Sequence, residues 1–300
     1  MNESGVPAPP GPAQLRKGTD YWGVVNAAFQ IVGRYKFLWF YGFFAASGGG
    51  GSGGGNWSED ASPWVENFFA QRLELLVLII LGLVVVALVL IAMNIISRGA
   101  LIGSAGMIAN GDRPTFGEAW KMGLRNALPI FGLMILSIIV VLLVTAVCAI
   151  PVLLPIAAGA PGIAIAIVIA VVLFFPYLAF MIALALTVTY AERAIAVDGL
   201  PFIDAIAAGW SLLRSKVGES LVFWLIGLLA GIIFTVGIIF ILVVVGTPLF
   251  ILGTQNLVAA LAIGIPIVFV IMALANGLYG TFSYSFWTLA YLNLKGDVAS

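Results

Sequence analysis

The stretch that decides the fold reads SLVFWLIGLLAGIIFTVGIIFILVVVGTPLFILGTQNLVAALAIGIPIVFVIMALANGLYGTFSYSFWTLAYLNL at residues 220–294, and it contains no Asp, Glu, Lys or Arg. One crossing of a membrane needs about 20 apolar residues, so this stretch is long enough for two transmembrane helices. A second stretch without charge, residues 126–191, predicts another pair, and residues 75–97 predict a single crossing. The chain is therefore predicted to be an all-α polytopic membrane protein.

The composition of the chain supports the same class. Hydrophobic residues make up 62% of the 300 residues, charged residues make up 9%, and the mean hydropathy is +1.16. A soluble globule of this size could not be covered with so little polar surface. The net charge is zero, so no basic excess indicates nucleic acid, and the lipid bilayer is the predicted partner.

The first crossing is short, because residues 37–46 (FLWFYGFFAA) are only ten apolar residues. With six crossings, twelve of the thirteen Lys and Arg residues lie on one side and Arg72 alone lies on the other. A re-entrant first segment would instead divide them five against eight. The positive-inside rule favours six crossings in the inner membrane with both termini cytoplasmic. The first helix is expected to start at Tyr35, with Arg34 and Lys36 reaching back to the headgroups.

These crossings form one membrane domain, which follows an N-terminal tail and contains a Gly-rich loop. Residues 1–18 are predicted to be a disordered cytoplasmic tail, residues 19–293 the membrane domain, and residues 47–62 a Gly-rich external loop. The other external connections are expected at residues 155–162 and 246–256. The six predicted crossings are residues 35–47, 75–97, 127–152, 163–189, 221–245 and 257–282.

An internal repeat is predicted from the cytoplasmic segments. Phe116, Ala119 and Gly123 recur at the same spacing as Phe202, Ala205 and Gly209, and a weaker copy reads Trp22, Val25 and Phe29. Positions i, i+3 and i+7 share one face of a helix, so each copy predicts an amphipathic helix at the membrane interface. Each interfacial helix precedes a transmembrane hairpin, which gives repeat units at about residues 19–100, 108–195 and 196–293.

Two local signals refine these interfacial helices. Thr115 followed by Glu118 predicts a capping box at the start of the second one. Gly123 and Gly209 are expected where a helix meets the bundle, because a residue without a side chain permits close approach of two backbones.

The stretches TYAERAIAVDGLPFIDAIAAGWSLLR and NGDRPTFGEAWKMGLR resemble the bacterial glycerophosphoryl diester phosphodiesterase membrane domain family and related membrane families of unknown function. The resemblance covers about residues 20–293 and includes Arg193, Asp198, Asp204 and Arg214. In some relatives of this family the membrane region precedes a soluble phosphodiesterase domain, which uses paired histidines and carboxylates around a metal. This chain has no histidine, so the activity in the family name is not expected here.

Counting residues excludes further enzyme classes. Without histidine the chain cannot form His-ligated metal or haem sites or Ser–His nucleophile pairs, and the single Cys148 cannot form an internal disulfide. No acidic residue lies deep in a predicted crossing, which disfavours an intramembrane aspartyl protease and a transporter with a charged midplane site. The protein is predicted not to be an enzyme and to have no cofactor or metal.

A small set of residues remains as candidates for interaction or structure. Their plain interpretation is that they anchor the topology and contact phosphate headgroups. A sharper hypothesis is that Glu192 and Arg193 pair with Asp198 or Arg214, either to lock the repeats together or to hold an anionic lipid headgroup. The full set is Arg98, Glu192, Arg193, Asp198, Asp204, Gly209 and Arg214.

Two functions remain open. The first is a scaffold or accessory subunit whose aromatic cytoplasmic end engages lipid, a membrane protein partner or a second copy of the chain. The alternative is a transporter or flippase for a neutral or lipidic substrate, with Pro176 and Pro266 in kinked helices. A polar cavity between the repeats favours transport, whereas a dry interior favours the scaffold. The aromatic residues are Tyr279, Phe282, Tyr284, Phe286, Trp287 and Tyr291.

Overall fold

The computed structural model describes residues 20–47 and 73–298, and these residues hold eight α-helices. The predicted tail at residues 1–18, nearly all of the loop at residues 47–62, and Arg72 lie outside the described residues. A 3₁₀ turn, Leu154–Ala158, joins α4 to α5. The helices are α1 (Tyr21–Arg34), α2 (Leu38–Ser47), α3 (Leu73–Ala109), α4 (Phe116–Leu153), α5 (Ala160–Ala196), α6 (Phe202–Ser215), α7 (Val217–Gln255) and α8 (Leu257–Val298).

Five of these helices, α3, α4, α5, α7 and α8, are long and apolar enough to cross a membrane. The shortest of them have 37 residues, a length of about 55 Å, whereas the hydrocarbon core is about 30 Å thick. The prediction of an all-α polytopic membrane protein is confirmed. The remaining apolar helix, α2, has ten residues and a length of about 15 Å, which is half of the hydrocarbon thickness.

The first crossing does not gain the length that the sequence predicts. α1 ends at Arg34 and α2 begins at Leu38, so the helix expected from Tyr35 is wrong at its start. The three residues between the helices form a tight turn, in which the Tyr35 N–H donates to the Ile31 carbonyl at 3.0 Å. The indole of Trp39 donates to the Val32 carbonyl at 2.9 Å and holds α2 against the end of α1.

Two other boundaries differ from the prediction. The turn expected at residues 246–256 is helical as far as Gln255, and the hydroxyls of Thr247 and Thr254 donate back to carbonyls of the same helix instead of ending it. The second interfacial helix is not separate, since residues 116–125 continue into the crossing as one 38-residue helix. α6, in contrast, ends before α7 at Lys216, whose backbone (φ −133°, ψ 45°) leaves the helical region.

The helix starts follow the capping signals in the sequence. The capping box is confirmed: the Thr115 N–H donates to Glu118 Oε2 at 2.8 Å, and the Glu118 N–H donates to Thr115 Oγ1 at 3.4 Å. At the start of α1, the Gly23 N–H donates to Asp20 Oδ1 at 2.8 Å. In both helices, the residue just before the first turn therefore has a side-chain oxygen that accepts a hydrogen bond from a backbone N–H of that turn.

On α4 and α6 the second and third predicted positions are buried, whereas Phe116, at the first position of α4, is 47% exposed. Ala119 and Gly123 are buried on α4, as are Ala205 and Gly209 on α6. On α1 the buried residues at the equivalent steps are Val24 and Ala28, each one position before the prediction. Trp22 is 78% exposed and Phe29 is 59% exposed, so the predicted register of this copy is wrong by one residue. The internal repeat itself stays a prediction.

Both glycines lie at close backbone contacts, as expected. A Cβ built on Gly209 would lie 2.7 Å from the Thr187 carbonyl oxygen of α5, and one built on Gly123 would overlap the Ile96 carbonyl oxygen of α3. A Cβ built on Gly42 of α2 would likewise overlap the Gly277 carbonyl oxygen of α8. α4 thus packs on α3 and α6 packs on α5, while α1 and α2 pack on α8, and α2 also packs on α3.

The core lies at one end of the bundle. The buried residues are concentrated in residues 95–109 of α3, 186–196 of α5 and 282–294 of α8, which we call the packed end. At the opposite, apolar end, the long helices expose Leu, Ile, Val and Phe, as lipid-facing helices do. Phe282, Phe286 and Tyr291 are buried in the packed end, so they form core and do not offer the contact surface that the scaffold interpretation needs.

Candidate functional site

A cavity of about 1170 Å³ lies between the packed end and the apolar end. It is bordered by the C-terminal end of α2 and by α3, α4, α5, α7 and α8. Its wall on α5 extends from Met181 to Arg193, a rise of about 18 Å along the helix. Small-molecule sites usually measure about 300–1,000 Å³, so this cavity has room for a large ligand.

Most of the cavity wall is apolar. Leu184, Val188 and Ile232 lie on its sides, and Met272 lies towards the apolar end. Two of its hydroxyl groups are already satisfied within their own helices: Ser137 Oγ donates to the Met134 carbonyl and Thr235 Oγ1 to the Gly231 carbonyl, both at 2.8 Å. Further polar residues on the wall are Thr189, Asn276, Tyr279, Ser283 and Tyr284.

Three charged residues, Arg98, Glu192 and Arg193, lie together on the wall at the packed end, and we call them the Arg–Glu–Arg cluster. Arg98 Nη1 is 3.2 Å from Glu192 Oε1, and Arg193 Nη1 is 2.9 Å from Glu192 Oε2. Each oxygen of one carboxylate therefore accepts from a different guanidinium. Among the described residues that line the cavity, these are the charged ones, so the cluster carries a net charge of +1.

Arg193 is the most buried member of the cluster, with 3% of its side chain exposed. Its Nη1 also donates to the Thr189 carbonyl at 2.8 Å, and its guanidinium lies 5.5 Å from the ring centroid of Tyr284, within cation–π range. Its Nε has no hydrogen-bond partner among the residues that the structure describes. Burying such a donor without an acceptor is costly, so this part of the cluster is under strain.

Asn94 connects the cluster to α2. Its Nδ2 donates to the Phe44 carbonyl at 2.6 Å and to the Ala45 carbonyl at 3.1 Å, and its Oδ1 accepts from Arg98 Nε at 3.0 Å. One amide thus satisfies two carbonyls near the end of α2 and orients the guanidinium of Arg98. Sequence reasoning missed Asn94, although an Asn within an apolar helix, four residues before an Arg, is a usable signal.

Three of the predicted site residues lie together in the structure: Arg98, Glu192 and Arg193, which form the Arg–Glu–Arg cluster. The predicted pairing of Glu192 and Arg193 with Asp198 or Arg214 is wrong, because Arg98 from α3 is the second partner of Glu192. Asp198 instead accepts from Tyr291 Oη at 2.6 Å and pairs with Lys295 Nζ at 2.7 Å, which ties the turn after α5 to the end of α8.

The other predicted site residues lie on α6, away from the cavity. Asp204 is exposed in its first turn and Arg214 is exposed in its last turn, where each charge suits the helix dipole. Gly209 makes the close contact with α5 described above. These positions agree with structural roles in α6.

Pro176 and Pro266, which the transporter hypothesis places in kinked helices, lie away from the cavity. α5 and α8 are unbroken through Pro176 and Pro266, and neither proline lines the cavity. Gly227 and Gly231 of α7 are on the cavity wall instead. A Cβ on Gly231 would lie 2.9 Å from the hydroxyl of Tyr279, so this glycine makes room for the tyrosine side chain.

The cavity wall presents guanidinium groups at one end and apolar side chains over most of its area. Within residues 20–47 and 73–298, no group of three His, Cys, Asp or Glu side chains could hold a metal ion. Guanidinium groups bind phosphate and carboxylate groups, and the apolar wall can accommodate hydrocarbon. Comparisons of this chain with protein-family models, with curated proteins and with solved structures find no match.

Proposed function

We propose that the protein is a transporter or flippase that takes a lipid-like amphiphile into this cavity and moves it between the two faces of the membrane. The observation that carries the proposal is the cavity of about 1170 Å³, which is charged at one end and largely apolar elsewhere. A molecule with a polar head and a hydrocarbon tail has the same division. A scaffold would be expected to have a dry interior filled by Leu, Ile and Val.

The burial of the Arg–Glu–Arg cluster supports a binding role. Ionisable residues inside a membrane bundle are expensive, and they generally face a substrate pathway or a partner charge. A cluster that served only to lock helices would be expected to have every donor satisfied, because a partly satisfied buried network destabilises the fold. Arg193 departs from this expectation at Nε.

The orientation belongs to the same proposal. The packed end, which carries most of the charged residues, faces the cytoplasm, and the apolar end lies in the lipid and towards the external face. Both termini are then cytoplasmic and the chain lies in the inner membrane. The internal repeat and the resemblance to the phosphodiesterase membrane domain family remain compatible with this function, and no phosphodiesterase activity is proposed.

A scaffold or accessory role is the second candidate, and the exposed apolar residues of α1 and α6 favour it. Trp22 and Phe29 on α1, and Ile203 and Trp210 on α6, are exposed on the outer sides of these helices. Such residues suit insertion into the membrane interface or contact with a membrane protein. The same residues would anchor a transporter, so they weigh less than the cavity.

Translocation of a lipid in vesicles tests the proposed function. The purified protein is incorporated into vesicles that contain a trace of tail-labelled fluorescent phosphatidylglycerol or phosphatidylcholine, and a membrane-impermeant quencher reports the outer leaflet. Ala185→Trp places a large side chain at an exposed position of the cavity wall. Ala164→Trp places the same side chain at an exposed position of α5 outside the cavity and is the matched control.

The proposal expects quenching of both leaflets with the wild-type protein and with Ala164→Trp. Ala185→Trp is expected to slow the loss of inner-leaflet fluorescence at least about tenfold, because the indole occupies the substrate volume. If the wild-type protein allows quenching of the outer-leaflet fluorescence alone, for both lipids, the proposed function is contradicted. Equal rates for the two Trp variants would show that the cavity is not the path.

A further inference from the structure

The geometry of the cluster points to a headgroup that carries one negative charge of the phosphate type. We propose that this headgroup binds to Arg98, where it takes the place of Glu192, while Glu192 stays on Arg193. The inference rests on the proposed function, because it names the substrate class of the same cavity. Its experiment separates headgroup selectivity from the binding of lipid as such.

Charge balance is the first argument. Two guanidinium groups face one carboxylate, so the cluster has an excess charge of +1 inside a largely apolar wall. A monoanionic headgroup brings the sum to zero, whereas a zwitterionic headgroup leaves it unchanged. Because charges interact more strongly in a medium of low dielectric constant than in water, this difference is expected to dominate the choice between lipids.

Geometry is the second argument. Glu192 gives one oxygen to each arginine, at 3.2 Å from Arg98 and 2.9 Å from Arg193, so Arg98 is held by a single carboxylate oxygen that a headgroup can replace. A phosphate diester also presents two free oxygens, and the planar guanidinium is well suited to bind such a pair.

The two arginines differ in how firmly they are held. Arg193 is fixed by the Thr189 carbonyl, the ring of Tyr284 and Glu192. The Arg98 side chain is 17% exposed and has Asn94 and Glu192 as partners. When a headgroup arrives, Glu192 can stay on Arg193 while Arg98 turns to the new anion. Each guanidinium then has one anionic partner.

The same guanidinium groups would also bind free inorganic phosphate. The apolar wall of the cavity distinguishes a lipid headgroup from free phosphate. Leu184, Ile232 and Met272 form an apolar surface that free phosphate would leave uncovered. An acyl chain would cover it and add the free energy of burying hydrocarbon. The site is therefore assigned to the headgroup of a lipid.

Ligand-induced stabilisation measures this selectivity directly. The protein, purified in a neutral detergent, is titrated with phosphatidylglycerol, with phosphatidylcholine or with inorganic phosphate, and the shift in Tm gives the half-saturating concentration. The variants are Arg98→Gln, Glu192→Gln and, as a matched control, Arg214→Gln, which removes an exposed charge of α6 outside the cavity.

The expected result is that phosphatidylglycerol half-saturates the wild-type protein at a concentration about tenfold below that of phosphatidylcholine, as charge-assisted hydrogen bonds imply. Inorganic phosphate alone is expected to produce little shift. Arg98→Gln should abolish the preference, Arg214→Gln should keep it, and Glu192→Gln should strengthen it because the competing carboxylate is gone. Should Arg98→Gln fail to fold, Arg98→Lys decides: it keeps the positive charge but loses the paired N–H donors, and it should weaken the preference.

Equal half-saturation by the two lipids would overturn the headgroup assignment and leave the proposed function standing. An unchanged preference in Arg98→Gln, a weaker preference in Glu192→Gln, or a full shift from inorganic phosphate alone would also overturn it. No shift with either lipid would contradict both this inference and the proposed function.

Discussion

Arg98 on α3 and Glu192 on α5 form an ion pair inside the bundle, with Nη1 and Oε1 3.2 Å apart, although 94 residues separate them in the sequence. Their side chains are 17% and 10% exposed. Since Glu192 also binds Arg193, one carboxylate neutralises part of the charge of two guanidinium groups. The pair joins the packed ends of two helices and forms the polar end of the cavity.

Replacing Glu192 by Gln should destabilise the protein strongly in the absence of lipid. The change leaves Arg193 buried without its anionic partner, and breaking a buried ion pair costs about 3 kcal/mol or more. Unfolding of the purified protein in neutral detergent measures the loss. Glu219→Gln is the control, because its pair with Lys216 is longer, at 3.5 Å, and more exposed than the pairs of the cluster, so its loss should cost under about 1 kcal/mol. Similar losses in both variants would contradict a structural role of the cluster.

The close contact of α6 with α5 predicts an effect of Gly209→Ala. The added Cβ would lie 2.7 Å from the Thr187 carbonyl oxygen and 3.0 Å from the Ala191 backbone nitrogen, so the helices must move apart. Overpacking of this kind costs about 1–3 kcal/mol. In the same unfolding assay, Gly218→Ala should be neutral or slightly stabilising, because nothing lies within 4 Å of its Cβ position. The prediction fails if the two variants unfold alike.

The capping box predicts that Thr115→Ala lowers the free energy of unfolding by about 1 kcal/mol. The variant loses the oxygen that accepts from the Glu118 N–H and the hydroxyl that lies 2.9 Å from Glu118 Oε2. Hydrogen exchange at residues 116–119 should accelerate, because the first turn of α4 loses its cap. Thr115→Ser keeps the oxygen and should behave like the wild type. Equal exchange in the Ala and Ser variants would remove the capping argument.

Asn94→Ala should loosen α2 and weaken lipid binding together. The change removes the donor to the Phe44 and Ala45 carbonyls and the acceptor that orients Arg98. Hydrogen exchange at residues 41–47 should rise, and the half-saturating concentration of phosphatidylglycerol should rise several-fold. Asn26→Ala, at an exposed position of α1, is the control and should change neither quantity. Faster exchange without any change in binding would show that Asn94 does not position Arg98.

Most of the fold could be predicted from local sequence. The charge-free stretches indicate the long helices, since a backbone in lipid must satisfy its own hydrogen bonds. The capping box and the close contacts at Gly123 and Gly209 are also properties of short segments, and the structure has them. The register of α1 was missed because the spacing was matched on Trp22, whereas the cap at Asp20 starts the helix at Tyr21.

The candidate site could be predicted only in part, because its geometry depends on contacts between distant segments. Nearness in sequence suggested Asp198 as a partner of Arg193. Gly199, with φ 73° in the left-handed region, turns the chain after α5 and leaves Asp198 facing the end of α8. The cavity is formed by side chains of six helices, α2, α3, α4, α5, α7 and α8, and no local pattern in the sequence encodes which of them come together.

Photo-crosslinking with a phosphatidylglycerol that carries a diazirine on one acyl chain tests occupancy of the cavity most directly. We expect mass spectrometry to find adducts concentrated on the cavity wall, at residues 184–189 of α5 and 227–235 of α7. Ala185→Trp should reduce these adducts, whereas Ala164→Trp should not. The opposite result is a set of adducts spread evenly over the exposed apolar end, for example at residues 83–91 of α3 and 142–147 of α4, and unchanged by Ala185→Trp. This result would contradict the binding of lipid in the cavity.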